Sequence, residues 1–190
     1  MAADDDQTGA IPAETGQRVL CLTGPESTGK TTLAARLAEA LGGVLVPEVA
    51  REYLAGRSGY DRNDLLAIAR AQLEAEQSAV LSDAALIVCD TDLTVIQVWW
   101  EEKYGPLPQE LNAALGDRGE RAYLLMQPDL PWAPDPLREH AADRERLYTR
   151  YEELLAAGPF PFAEVAGLDE DRFGAALEAV RAFYPELVPD

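Results

Sequence analysis

The chain has 190 residues, a length that builds one ordinary core and leaves no room for a second catalytic domain. Its 47% hydrophobic and 26% charged residues are those of a soluble globular protein, which excludes fibrous repeats and wholesale disorder. Thirty-four acidic residues against sixteen basic ones leave a net charge of −18, which opposes attachment to nucleic acid or to anionic lipid.

Met1 to Asp6 reads MAADDD, with neither the basic start nor the apolar run of a secretory signal, and no apolar stretch approaches the roughly 20 residues of a spanning helix. The expected location is the cytoplasm. Residues 1–16 lack periodicity and read as a disordered acidic tail, and residues 17–190 read as one domain. Arg18 to Thr23 is an apolar run stopped by a glycine, the pattern of a strand buried on both faces. From Lys30 the apolar spacing changes to three and four (Leu33, Ala34, Leu37, Ala38, Leu41), and Gly42 ends it, which predicts a helix. Val44 to Val46 is a second strand closed by Pro47. Asn63 or Asp64 is placed to cap a helix running through Leu65, Ile68 and Leu73 towards Leu81. Ala85 to Asp90 is a third strand ending on a carboxylate; Leu93 to Lys103 and Glu110 to Leu115 read as helices, and Ala122 to Met126 as a fourth strand. A charged helix over Leu137 to Leu155, a fifth strand over Phe160 to Val165 despite Pro161, and a helix over Asp171 to Tyr184 close the chain. Strands alternating with helices predict a three-layer α/β domain on a five-stranded parallel sheet. Cys21 and Cys89 read as reduced core thiols, and His140, the sole histidine, leaves no material for a His-rich metal site or a Ser/His/Asp triad.

Gly24-Pro25-Glu26-Ser27-Thr28-Gly29-Lys30-Thr31 fills every fixed position of G-x-x-x-x-G-K-[ST], between a predicted strand and a predicted helix. The glycines let successive N–H groups turn onto phosphate oxygens, with the positive end of the helix behind them. Gly24, Glu26, Ser27, Thr28, Gly29, Lys30, Thr31 and Thr32 are therefore the expected nucleotide site, Lys30 bridging the β- and γ-phosphates and the Thr31 hydroxyl holding Mg2+. Such a site needs a carboxylate at the end of a neighbouring strand. Asp90 fits as the second metal group; Asp92 either lines the same edge or caps the helix that starts at Leu93.

Kinases, motor ATPases and switch GTPases share this loop, so the remainder must name the reaction. No Asn-Lys-x-Asp sequence occurs, which counts against a GTPase. Glu48 and Arg51, in the run PEVAREY after the second strand, either converge on a small acceptor beside the γ-phosphate or form a solvated ion pair. Arg138, Arg144 and Arg146 follow a proline-rich loop at near-helical spacing. They either swing onto the transferring phosphoryl group as lid arginines or pair with Glu139, Asp143 and Glu145 at the surface.

The ordered set of GPESTGKTT from Gly24, PEVAREY from Pro47, Ala71-Gln72, DTD from Asp90, Trp132 and Arg138 resembles the nicotinamide riboside kinase domain of NadR and its stand-alone relatives, over about Arg18 to Tyr184. The resemblance implies a nucleoside-kinase-like P-loop NTPase fold with an arginine-bearing lid, and ATP- and Mg2+-dependent phosphorylation of a ribosyl hydroxyl in NAD biosynthesis. By position it implies catalytic roles for Lys30, Glu48, Asp90, Arg138 and Arg144, and acceptor contacts from Glu48, Arg51, Gln72, Asp92 and Trp132. The chain departs from that pattern at Pro47 and Gln77, where relatives carry aromatic rings, and at Pro136, where they carry glycine. Trp99, Trp100, Tyr53, Tyr60 and Tyr104 are the rings available to replace the missing ones, although a ring on a helix is more often core.

Three functions follow. The first is a kinase in which Glu48 orients and deprotonates the acceptor hydroxyl, with Asp90 as the rival base. The second is a nucleotide-dependent switch or ATPase acting on a protein partner. The third, an inert P-loop, is disfavoured because Lys30, Thr31 and Asp90 are all present.

Overall fold

The computed structural model describes residues 16–132 and 143–188. In chain order the elements are β1 (Arg18–Thr23), α1 (Lys30–Leu41), β2 (Val44–Val46), α2 (Val49–Tyr53), α3 (Arg62–Val80) and β3 (Leu86–Asp90). They continue with α4 (Leu93–Tyr104), α5 (Gln109–Gly116), β4 (Ala122–Met126), α6 (Arg144–Ala157), β5 (Phe162–Val165), α7 (Asp169–Phe183) and a last 3-10 turn (Pro185–Leu187). The five strands pair in the order β2-β3-β1-β4-β5, and every pair is parallel. Leu22 stands opposite Asp90 on one side and Leu124 on the other, so β1, β3 and β4 end at a common carboxyl edge.

Side chains alternate across the sheet, and each face acquires its own layer. Leu20, Leu22, Leu86, Val88, Leu124 and Met126 pack on α1 and α7. Val19, Cys21, Ile87, Cys89, Tyr123 and Leu125 pack on α3, α4 and α6. Each fully buried leucine here contributes about 1.5–3 kcal/mol relative to exposure. A third cluster joins α2, α3, α4 and α5 through Ala50, Leu54, Leu65, Ile68, Ile96, Trp100 and Leu111, a helical cover beside the carboxyl edge. Trp100 belongs to it and donates its indole N–H to the Pro106 carbonyl at 3.1 Å, a core role rather than a ligand one. Cys21 and Cys89 are free, buried and in register on adjacent strands.

Element ends differ from expectation where capping chemistry decides them. Asp61, not Asn63 or Asp64, caps α3: its carboxylate accepts from the N–H groups of Asn63 (2.7 Å) and Asp64 (3.0 Å), and Asp64 returns the bond to the Asp61 N–H (2.9 Å). β5 starts at Phe162 because Pro161 has no N–H to donate; its carbonyl still accepts from Tyr123 at 3.0 Å. Gly42 ends α1 at φ 64°, as the glycine stop predicts. Of the helix expected from Leu137, the part from Arg144 is present; Arg138, His140 and the tail before residue 16 lie outside the described residues. Among the described residues no helix is long and apolar enough to cross a membrane.

Candidate active site

At the end of β1 the chain leaves the sheet through backbone that only a small residue can occupy. A Cβ on Gly24, at φ 124°, would lie 2.8 Å from the Met126 carbonyl oxygen, so the glycine lets the loop pass tight against β4. Ser27 (φ 57°) and Gly29 (φ 78°) are both left-handed, and Gly29 occupies the N-cap of α1. The Lys30 ammonium is wrapped by its own loop, donating to the carbonyls of Gly24 (2.9 Å) and Pro25 (2.7 Å), while the Thr28 hydroxyl donates to Pro25 (2.9 Å).

This loop forms one wall of a cavity of about 250 Å³. Gly24, Glu26, Ser27, Thr28, Gly29, Lys30, Thr31, Glu48 and Arg51 all line it, so nine of the expected site residues share one space. The rest of the lining is Tyr60, Val95, Val98, Trp99, Glu102 and Lys103, with Leu147 and Tyr151 from α6. The Tyr60 and Trp99 rings stack with centroids 5.7 Å apart and planes at 23°. Lys103 lies over the Tyr60 ring at 3.7 Å from its centroid. The sequence offers these two rings among five candidate substitutes and does not mark Val95, Val98, Glu102 or Lys103. The spacing Val95, Val98, Trp99, Glu102 is a helical stripe that could have found them.

Glu48 is the N-cap residue of α2 and accepts from Arg51 at 3.3 Å, one turn on. Its carboxyl is pushed up by burial and by the charge of Asp90, with Lys30 and Arg51 pulling the other way. Asp90 is likewise pushed up by burial, while hydrogen bonding from Thr31 and the charges of Lys30 and Arg51 oppose that. The Asp90 Oδ1 atom is buried with no hydrogen-bond partner among the described residues, and Asp90, although bonded by Thr31, is not one of the residues lining the cavity.

Thr91, at φ 76°, redirects the chain between Asp90 and Asp92, a strained conformation for a β-branched residue. The two acids therefore serve different places. The structure does not bring Asp92 to the cavity. One of its oxygens caps α4 by accepting from the Thr94 N–H (2.9 Å), and the other accepts from Tyr123 (2.6 Å), Arg118 (2.6 Å) and Arg121 (3.2 Å). Burial pushes Asp92 up, but the Arg118 and Arg121 charges and these donors bring it below the ordinary carboxylate value. Arg121 also meets Glu76 at 3.2 Å, completing a buried network that sequence reasoning missed.

The remaining expected residues lie around the cavity rather than in it. Gln72 is buried and its carbonyl accepts from the Val49 N–H at 3.1 Å, so it anchors the start of α2 behind Glu48. Thr32 is exposed on α1 and Trp132 is half-buried; neither lines the cavity. Arg144 is docked on loop backbone, donating to the carbonyls of Leu130 (2.9 Å) and Ser27 (3.3 Å). Arg146 pairs with Glu102 (2.6 Å) and with Asp143 (3.5 Å), the latter being the surface pairing the sequence offers as its alternative.

A central strand feeding a glycine-turned loop and a lysine at a helix start, on a parallel sheet of this order, defines the three-layer P-loop NTPase fold of the nucleoside- and nucleotide-kinase kind. Over residues 19–172 the chain belongs to the family described as the AAA domain. It is 26% identical over 177 residues to the trifunctional NAD biosynthesis/regulator protein NadR of Escherichia coli K12, a match covering 89% of this chain and 43% of that protein. The chain thus spans under half the length of the curated relatives it matches. In structure it is similar to a NadR protein solved in complex with NR (TM-score 0.71, 22% identity, 92% of this chain and 51% of that one). It is also similar to thymidylate kinase from Ehrlichia chaffeensis (TM-score 0.59, 16% identity, 88% and 99%).

Proposed function

We propose that this chain is an ATP-dependent kinase that phosphorylates a hydroxyl of a small ribosyl compound, nicotinamide riboside foremost, giving nicotinamide mononucleotide. The observation that carries this reading is that one cavity is lined together by a phosphate loop, by Glu48 and Arg51, and by a stacked ring pair. The names of the relatives, an NAD biosynthesis protein and a NadR structure holding NR, point to the same acceptor.

Lys30 supplies the positive charge for the β- and γ-phosphate oxygens from the centre of the loop. Glu48, raised towards the working pH by burial, takes the proton of the acceptor hydroxyl, and Arg51 fixes its orientation. The hydroxyl oxygen bonds to the γ-phosphorus as the bond to the bridging oxygen breaks, releasing ADP. The Thr31 hydroxyl and the orphaned Asp90 oxygen are suited to hold Mg2+, which when bound offsets the charge of the phosphate oxygens. That placement favours Asp90 as the metal group and Glu48 as the base. Tyr60 and Trp99 offer the stacking surface that Pro47 and the exposed Gln77 do not.

The deciding experiment is a coupled ADP-release screen over nicotinamide riboside, ordinary nucleosides and vitamin-like alcohols, with mass detection of the product. A phosphorylated riboside is the expected result. ATP consumption that ignores every nucleoside and yields only free phosphate would make the chain an ATPase or switch instead.

A further inference from the structure

The phosphate loop is held from outside by two arginines, Arg172, which no motif in the sequence marks, and Arg144, expected from the sequence in a lid instead. Arg172, buried on α7, uses its whole guanidinium fork. Nη1 donates to the Thr28 carbonyl at 2.9 Å, Nε to the Gly167 carbonyl at 2.8 Å, and Nη2 bonds the Asp129 carboxylate. Asp129 closes the ring by accepting from the Gly167 N–H at 2.7 Å. Arg144, at the start of α6, grips the preceding carbonyl, Ser27, together with Leu130. Every described peptide bond is trans, and in a trans peptide the carbonyl of one residue and the N–H of the next point in opposite directions. Holding the Ser27 and Thr28 carbonyls from behind therefore turns the N–H groups of Thr28 and Gly29 the other way, and both residues line the cavity. The left-handed Ser27 and Gly29 flank these two peptides, the alternation that makes a backbone concave towards an anion.

We infer that Arg172, braced by Asp129 and assisted by Arg144, positions the amides that bind the nucleotide phosphates and so sets nucleotide affinity. The inference rests on the nucleotide-binding reading above, but concerns residues that reading does not use. Burying a guanidinium carries a desolvation cost, and here its bonds go to three loops of the carboxyl edge rather than to regular structure.

The test is calorimetric titration of the full chain with Mg-ATP, alongside the KM of the acceptor and thermal melts. Arg172→Gln should raise the Kd for Mg-ATP about tenfold, the scale of one charge-assisted hydrogen bond, with the acceptor KM unchanged. Arg172→Lys, which keeps the charge but loses the fork, should fall between. Asp129→Asn preserves shape and carries the test should Arg172→Gln fail to give a cooperative melt. Arg36→Gln removes the exposed Arg36–Glu170 pair between α1 and α7 and should leave the Kd unchanged, which separates positioning from general loss of stability. Mg-ATP binding by the unaltered chain with the same Kd in the folded variants overturns this inference alone. No binding by the unaltered chain overturns it together with the nucleotide reading.

Discussion

Glu48 follows the end of β2 and Asp90 ends the neighbouring β3; burial pushes both carboxyls up from their ordinary values, and the charge of Asp90 raises Glu48 further. A base must be ionised to accept a proton, so activity is lost as pH falls through the raised Glu48 value. The acid limb of kcat should lie above the roughly 4.3 of an exposed glutamate. Glu48→Gln should lower kcat by about 10²–10⁴-fold and abolish its share of that limb, while Mg-ATP still binds. Steady-state rates across pH 4.5–8 check this, and a Glu48→Gln enzyme with native kcat removes the residue from the chemistry.

The Tyr60–Trp99 stack predicts a different signature. Stacking an aromatic ring on a base is worth about 1–3 kcal/mol, so Trp99→Ala should raise the acceptor KM by roughly five- to 150-fold. The KM for ATP should not move, because Trp99 sits on α4 and is no part of the phosphate loop. Kinetics with each substrate varied in turn measure the split. An equal rise in both KM values would place the acceptor elsewhere.

What the sequence made legible was local. The loop from Gly24 to Thr31, the glycine stop at Gly42 and the apolar runs of β1, β3 and β4 each depend on neighbours a few residues away. Glu48 and Arg51 were legible as a pair because one helical turn separates them. The stacking wall was not, since Tyr60 lies in the connection before α3 and Trp99 on α4, and only the packing of α3 on α4 brings them together. Arg172 was beyond reach for the same reason: its loop partner Thr28 is 144 positions away. Asp92 shows the converse limit. Its spacing from Asp90 allowed either a second acid at the edge or a cap for the Leu93 helix, and the structure takes the cap, with positive φ at Thr91 between the two acids.

That turn makes Asp92 a test of placement. Removing one partner of a buried ion pair costs about 3–5 kcal/mol, so Asp92→Ala should lower the denaturation midpoint strongly by leaving Arg118 exposed to desolvation without its carboxylate. The folded fraction should keep native KM values for both substrates, since both Asp92 oxygens are bonded within the core network. Chemical denaturation followed by kinetics at low denaturant provides both readings. A stable Asp92→Ala protein whose acceptor KM rises would return the residue to the substrate.

Glu76 lies at the far end of the same network. Burial and the nearby charge of Asp92 raise its pKa from 4.5 to about 7, against the pull of Arg121. Because the folded value exceeds the ordinary one, the stabilising contribution of this group is complete below about 4.5 and is lost as pH rises through about 7. Asp92 is shifted downwards, so it acts only at more acidic pH, whereas Glu48 and Asp90 are shifted the same way as Glu76 and leave a residual slope of their own. The melting temperature of the native chain should therefore fall between pH 5 and pH 8 more steeply than that of Glu76→Gln, which cannot ionise. A shift of about 2–4 °C accompanies each kcal/mol in a domain of this size, within reach of a pH series of thermal melts. Parallel melting curves for the two proteins would show that Glu76 is already ionised throughout, its charge fully met by Arg121.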